Sequence, residues 1–151
     1  MKIYEVRIFV ESTLRGPARR DGMAMWIVEY MKDGVPVTRE GMVYVEKGTE
    51  AEANLKALID AFGILRKTCS ILVFPRCEHV LSTLKNQWWI GWKENDWKGA
   101  KGKPVKNAEL WQKLIEKMEA HGCSMGSGVH EYQNVMLFRL KEEMAAKKAA
   151  E

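Results

Sequence analysis

The stretch QWWIGWKENDWKGAKGKPVKNAELWQKL, residues 87–114, decides the fold. Apolar side chains at helical spacing predict a helix at each of its ends. The glycines and the proline between them predict an exposed loop, which we call the basic loop, residues 93–106. Its fourteen residues carry five lysines: Lys93, Lys98, Lys101, Lys103 and Lys106. The sequence therefore places a concentrated positive charge between two helices.

Tryptophans are frequent in and around the basic loop. Their helical spacing favours packing between helices over direct stacking on nucleic-acid bases, so we expect them to shape the loop: Trp88, Trp92, Trp97 and Trp111.

Composition sets the limits for the whole chain. The 151 residues, 46% of them hydrophobic, predict one domain over residues 1–151 with one sizeable core. The apolar runs are too short to span a bilayer and no signal-peptide pattern opens the chain, so we expect a cytoplasmic protein without membrane contact. A net charge of +4 is only mildly basic. Three cysteines without a CxxC pair argue against a disulfide framework and a thiolate zinc site.

The N-terminal half predicts strands followed by a helix and a further strand. Alternating apolar residues indicate strands over 2–10, 23–30 and 37–45, with a turn at Lys32, Asp33 and Gly34. Thr49 and Glu52 have the spacing of a capping box ahead of an amphipathic helix. Residues 71–74 form a short apolar strand, which we expect to pair in parallel with the first strand.

The C-terminal half predicts helices around one weak strand. Two short helices lie between residues 77 and 97, and Asn107 is a candidate N-cap for the next helix, which Gly122 ends. A weak strand at 123–125 precedes a final helix from about Glu131. The order predicts an α/β fold: a mixed five-stranded sheet, with three antiparallel strands and then parallel ones, and helices on both faces.

Residues 87–114 resemble the helix, basic protrusion and following helix of bacterial ribonuclease H. The matching residues include Gln87, Trp88, Trp92, Lys93, Trp97, Lys98, Lys103, Pro104, Val105, Lys106, Asn107, Leu110, Trp111 and Gln112. Near the N-terminus, residues 8–12 and the pair Gly16 and Pro17 are similar to the family's first strand and its following turn. The resemblance implies a ribonuclease H-like fold.

The resemblance also implies four carboxylates that hold two divalent metal ions for cleaving the RNA strand of an RNA–DNA hybrid. In this sequence the four positions fall on Glu11, Asn54, Arg76 and Asn134, with Leu137 as another match for the last one. Only Glu11 is an acid. We therefore expect no bound metal, and we infer that Arg76 pairs with Glu11.

Two rival roles stay open for nearby residues. A rearranged enzyme that binds magnesium or manganese would have to recruit acids among Glu52, Asp60, Glu78 and Glu131, although helix capping and solvation explain each of them. By the resemblance, His130 falls where the family has a histidine that helps product release, while a lone loop histidine is more often exposed surface.

These features predict a catalytically inactive ribonuclease H-like protein that binds RNA–DNA hybrid or double-stranded RNA. The lysines of the basic loop are the main expected phosphate contacts, extended by arginines after the first strand: Arg15, Arg19 and Arg20. Two alternatives remain. The fold serves as a protein-interaction module, or it is an active ribonuclease H with rearranged metal ligands.

Overall fold

A computed structural model describes residues 3–99 and 101–150 of the chain. The strands are β1 (Tyr4–Ser12), β2 (Arg20–Lys32), β3 (Val35–Gly48), β4 (Cys69–Phe74) and β5 (Gly122–Met125). The helices are α1 (Glu50–Gly63), α2 (Glu78–Lys85), α3 (Trp88–Glu94), α4 (Ala108–Met118) and α5 (Gln133–Ala149).

All five strands form one sheet in the order β3-β2-β1-β4-β5. β1 and β3 each pair with β2 in antiparallel fashion, whereas β4 pairs in parallel with both β1 and β5. The predicted mixed sheet, with three antiparallel strands followed by parallel ones, is confirmed. Its centre is β1, so the residues at the end of β1 stand next to those that follow β4.

The sheet has a core on each face because successive strand residues point to opposite sides. Val6, Ile8 and Val10 of β1 belong to the larger core, which α1, α2 and α4 cover. Phe9 belongs to the smaller core, which is rich in methionine and lies beneath α5. Arg7 and Glu11 alternate in step with Phe9, so the α5 face of β1 carries the row Arg7, Phe9 and Glu11.

The predicted strands are all present, and four of them are longer than expected. The strand predicted at residues 2–10 begins at Tyr4 and reaches Ser12, with residues 1 and 2 outside the described range, and the hairpin strands β2 and β3 extend on both sides of the predicted bounds. The apolar run marked the buried centre of β2, whereas most residues of β3 are half-buried or exposed. Their polar ends pair as well, because the ladder between β2 and β3 continues to Lys32 and Val35.

Two helix signals acted differently from the prediction. α4 ends at Met118 and not at Gly122, because Gly122 already opens β5 and pairs with Ser70. Asn107 precedes α4 as predicted, but its side chain makes no capping hydrogen bond, since its backbone has the left-handed φ of 60°. The capping role of Thr49 is confirmed, as its Oγ1 accepts from the Glu52 N–H at 3.2 Å.

Among the described residues, no helix has the length and apolar character to cross a membrane. The thiols Cys69, Cys77 and Cys123 are all free. Burial raises the pKa of each of them, to about 11 for Cys123.

Candidate functional site

The register of the parallel strands brings Glu11 and Arg76 together. Phe9 of β1 is opposite Phe74 of β4 at the carboxyl end of the ladder. Glu11 and Arg76 each follow two residues later, so they occupy equivalent positions at the same edge of the sheet. Crevices outside the carboxyl ends of parallel strands are where open α/β sheets bind ligands.

Both oxygens of the Glu11 carboxylate have a neighbour of suitable polarity. Oε1 lies 3.8 Å from Nε of Arg76, and Oε2 lies 3.3 Å from Nε2 of His130. The Glu11 side chain is only 3% exposed. A buried carboxylate is costly unless it is paired, so Arg76 and His130 together hold the charge of Glu11. The contact between Arg76 and Glu11 is the one inferred from the sequence.

His130 is held in one orientation and is not the exposed loop residue that its position suggested. Its side chain is 4% exposed, and its ring packs on that of Phe9 with centroids 4.4 Å apart. Nδ1 accepts a hydrogen bond from the Tyr132 N–H at 3.2 Å. An accepting Nδ1 carries no proton, so the neutral ring has its proton on Nε2, which donates to Glu11.

A second set of charged side chains holds the segment before α5 against β1. Arg7 donates to Glu29 at 2.8 and 3.0 Å and to Glu131 at 3.0 Å through each terminal nitrogen. The hydroxyl of Tyr132 donates to Glu29. Glu131, expected to be merely solvated, is therefore an ion-pair partner. These contacts hold the segment that carries His130 against Phe9 and Glu11.

The ionisation of this set follows from its contacts. Burial raises the pKa of Glu29, but hydrogen bonds from Arg7 and Tyr132 outweigh it and hold that pKa below the usual value. Burial, with the hydrogen bond to Glu29, raises the pKa of Tyr132 to about 12. The hydrogen bond from Arg7 lowers the pKa of Glu131. Arg7, Glu29 and Glu131 are therefore all charged near neutral pH.

Asn54 supports the turn between β4 and α2. It is completely buried on α1, and its Oδ1 accepts from the backbone N–H groups of Arg76 and Cys77, each at 3.0 Å. Its Nδ2 donates to the Glu50 carbonyl at 3.0 Å. The side-chain oxygen of Asn54 is therefore occupied by backbone donors, and it fixes the backbone position of Arg76.

A cleft of about 220 Å³ opens beside Glu11 and Arg76. Gln133 lines it at the start of α5, whereas Asn134 is exposed and Leu137 half-buried, and neither is among the lining residues. The sequence alone did not single out Gln133, because only the start of α5, fixed by distant contacts, determines which residue faces the cleft. The complete lining is Glu11, Phe74, Pro75, Arg76, Glu78, Leu81, Ser127, Gly128, Val129, His130 and Gln133.

The acids that a rearranged enzyme would recruit are dispersed. Glu78 lines the cleft, while Glu52 belongs to the first turn of α1, Asp60 is exposed further along that helix, and Glu131 pairs with Arg7. Within residues 3–99 and 101–150 no group of three or more histidine, cysteine, aspartate or glutamate side chains is arranged to hold a metal ion. The residues at the four expected positions do not fit divalent ions.

The described part of the basic loop, residues 93–99 and 101–106, is held by backbone contacts. Its two arms are joined by a bridge between Lys98 and Pro104, and the Val105 N–H donates to the Trp97 carbonyl at 2.9 Å. Lys93 pairs with Glu119 at 3.3 Å, with both side chains more than half exposed. The remaining four lysines are exposed and have no ion-pair partner among the described residues: Lys98, Lys101, Lys103 and Lys106.

The three arginines after β1 are all exposed, but two of them have backbone partners. Arg15 donates to the carbonyls of Ser12 and Leu14, and Arg19 to that of Lys47. Arg20 begins β2. None of the three is among the residues that line the cleft.

The tryptophans divide between core and surface. Trp111 is completely buried, and Trp92 packs against it edge to face with centroids 5.7 Å apart. Trp97 packs against Trp92, so both support the basic loop as expected. Trp88 differs from the core prediction because α3 buries none of its residues, which leaves Trp88 47% exposed.

Comparison with known proteins relates this geometry to one family. The model of the RNase H family matches residues 5–127. A ribonuclease H of Clostridium botulinum (strain Hall) is 36% identical over 85 residues, which are 54% of this chain and 57% of that protein. The chain thus matches a little over half the length of this curated relative.

Solved structures show the same fold. LC9-RNase H1, described as a type 1 RNase H with the type 2 active-site motif, superposes with a TM-score of 0.72 at 20% identity, over 87% of this chain and 65% of that one. LC11-RNase H1 in complex with an RNA/DNA hybrid gives a TM-score of 0.63 at 16% identity, over 97% and 100%. With the family model spanning both Glu11 and the basic loop, the chain belongs to the RNase H family.

Proposed function

We propose that this protein binds duplex nucleic acid, RNA–DNA hybrid or double-stranded RNA, through the basic loop and does not cleave it. The observation that carries the proposal is the surroundings of Glu11, where the Arg76 guanidinium lies 3.8 Å from one carboxylate oxygen and Nε2 of His130 lies 3.3 Å from the other. Metal-dependent hydrolysis needs carboxylate oxygens that are free to bind hard cations. A permanent guanidinium charge beside the one remaining acid opposes a divalent cation.

The basic loop supplies the binding half of the proposal. Four of its lysines are exposed and have no ion-pair partner among the described residues, and the bridge between Lys98 and Pro104 joins the two arms that carry them, so several cations can contact one phosphate backbone together. Contacts of this kind depend on charge and shape and not on base sequence. The hybrid complex of the structurally similar LC11-RNase H1 supports RNA–DNA hybrid as the first ligand to test.

A gel-shift or anisotropy titration with a labelled hybrid tests the proposal. The K98Q/K101Q/K103Q triple variant should bind about 10- to 100-fold more weakly, because each lost phosphate contact removes one released counterion. Its plot of log affinity against log salt, measured between about 50 and 200 mM, should be shallower by about two to three units.

A matched triple variant provides the control. K32Q/K141Q/K148Q removes the same charge from exposed lysines outside the basic loop, and it should keep the wild-type salt slope. Equal losses of affinity in the two triples would show that net charge acts without a defined binding surface, and would contradict the proposal.

An active ribonuclease is the competing function, favoured by the name of the Clostridium botulinum relative and by Glu78 in the cleft. It requires magnesium or manganese to stabilise the folded protein. A protein-interaction module is favoured by exposed apolar side chains on α5, with Val135 49% and Phe138 61% exposed. Hybrid binding that survives the loss of these two side chains but not of the loop lysines excludes that module as the main function.

A further inference from the structure

Arg76 has hydrogen-bond donors that the protein does not use. A guanidinium carries five N–H groups, and the side-chain contact of Arg76 within the described residues is the one between Nε and Glu11 at 3.8 Å, too long for a hydrogen bond. The side chain is 34% exposed and lines the cleft. Its outer nitrogens are therefore available to a ligand in the cleft.

A second segment of the cleft lining also has hydrogen-bond donors without an acceptor. The segment after β5 contributes Ser127, Gly128 and Val129 to the lining. Their backbone N–H groups donate to no group in the part of the chain that the structure describes. Gly128 has a φ of 92°, a left-handed conformation that glycine adopts without strain. Backbone amides without an acceptor, in the lining of the same cleft as an arginine, can serve as further donors to a bound anion.

The two carboxylates that line the cleft, Glu11 and Glu78, differ in their effect on a bound anion. Glu11 is buried, with the Arg76 guanidinium 3.8 Å from one oxygen and Nε2 of His130 3.3 Å from the other, so its charge is partly offset. Glu78 is exposed at the N-terminal end of α2 and lines the cleft without an ion-pair partner among the described residues. It opposes a bound anion, so the cleft should hold a phosphate weakly by itself and contribute one contact among several to a longer ligand.

We infer that this cleft binds one backbone phosphate directly on the guanidinium of Arg76, and we call this site the seat. The inference rests on the proposed function, since it assigns the path of the bound backbone from the basic loop to the edge of β1 and β4. The ligand class is a phosphodiester of RNA or DNA.

A titration of the ¹⁵N-labelled protein with inorganic phosphate tests the seat without nucleic acid. The amide signals of Ser127, Gly128 and Val129 should shift with millimolar phosphate in the wild type. Arg76→Gln should weaken the response at least fivefold, and Glu78→Gln should strengthen it two- to fivefold. Lys141→Gln, which removes an exposed charge from α5, should leave it unchanged.

Changes of the opposite sign in the response of these amide signals would overturn the inference. A cation site predicts that Mg²⁺ moves the same signals, more strongly in Arg76→Gln and more weakly in Glu78→Gln. Shifts from phosphate that persist in Arg76→Gln would also contradict the seat. Because Arg76→Gln leaves Glu11 with one partner, the E11Q/R76Q double variant repeats the test with a neutral pair, and it should lose the phosphate response as well.

Hybrid binding separates this inference from the proposed function. With the seat present, Arg76→Gln weakens hybrid binding about three- to tenfold and makes the salt slope shallower by about one unit. If the loop lysines matter and Arg76 does not, the seat is wrong and the proposed function stands. If the wild type binds no hybrid, the proposed function is wrong, and the phosphate titration alone decides the seat.

Discussion

Along β1, from Arg7 to the carboxyl edge of the sheet at Glu11, the charges are paired with one another, whereas along the basic loop most of them are exposed to solvent. Glu11 lies between Arg76 and His130, and Arg7 lies between Glu29 and Glu131. In the basic loop, Lys93 pairs with Glu119, but the other lysines have no anionic partner among the described residues. Charged side chains therefore stabilise the fold in the first region and are available to bind a ligand in the second.

This difference predicts two kinds of mutational effect. Substitutions at the carboxyl edge should change the free energy of unfolding, because the groups there satisfy one another in a buried setting. Substitutions in the basic loop should change ligand binding and leave stability almost unaltered, since surface substitutions without partners usually cost less than about 0.5 kcal/mol.

The largest expected effect on stability is at Asn54. In Asn54→Leu the N–H groups of Arg76 and Cys77 lose their acceptor while they stay buried, and each such loss costs about 1–3 kcal/mol. We expect the free energy of unfolding in urea to fall by about 3 kcal/mol. Lys103→Gln in the basic loop is the matched control, with a change below about 0.5 kcal/mol. Equal midpoints for the two variants would refute the structural role of Asn54.

A smaller loss is expected at Glu29, whose side chain is 7% exposed and accepts from Arg7 and Tyr132. Glu29→Gln should destabilise the protein by about 2 kcal/mol at pH 7, the range of hydrogen bonds to charged groups. The lowered pKa of Glu29 means that its stabilisation is present above the ordinary glutamate value, about 4.3, and is lost as the pH falls through its folded pKa.

Unfolding curves for the wild type and Glu29→Gln should therefore converge as the pH is lowered from about 5 to 3. Tyr132 makes stability depend on pH in the alkaline range. Its pKa of about 12 implies stabilisation that is lost as the pH rises from the ordinary tyrosine value, about 10, towards 12. If the difference in the free energy of unfolding between the wild type and Glu29→Gln stays constant in acid, Glu29 is not charged in the folded protein.

The smallest effect concerns metal binding at the carboxyl edge. Arg76→Asp places a second carboxylate beside Glu11, so Mg²⁺ or Mn²⁺ should stabilise the variant by about 1.4 kcal/mol at ten times its Kd. Arg76→Asn, which has no added acid, is the control and should respond much less. Stabilisation of the wild type to the same extent would mean that Arg76 does not block the cation, which contradicts our interpretation of the cleft.

Strand alternation predicted the sheet, whereas the pairing of Glu11 with Arg76 followed from the resemblance to ribonuclease H, which places both residues at metal-ligand positions. Alternating apolar residues located the strands, and the matched positions after β1 and β4 brought the two charges to one edge. The basic loop could also be predicted from the sequence, since glycine and proline between the lysines interrupt helices and strands.

The sequence did not reveal contacts between residues far apart in the chain. Burial of His130 depends on Phe9 and on the Arg7 contacts that hold the segment before α5, and no local pattern near His130 indicates them. The exposure of Trp88 likewise follows from where α3 lies on the larger core. For Asn107, side-chain type predicted a cap, but the left-handed backbone turns the side chain away from that role.

The most direct test of the central claim is incubation of a labelled RNA–DNA hybrid with the pure protein in magnesium or manganese, with Glu11→Gln as the matched control. Our interpretation predicts an intact RNA strand with both proteins, while the same wild-type preparation retains salt-sensitive binding of the hybrid. Cleavage by the wild type that disappears in Glu11→Gln would show that Glu11 still supports catalysis and would contradict the account.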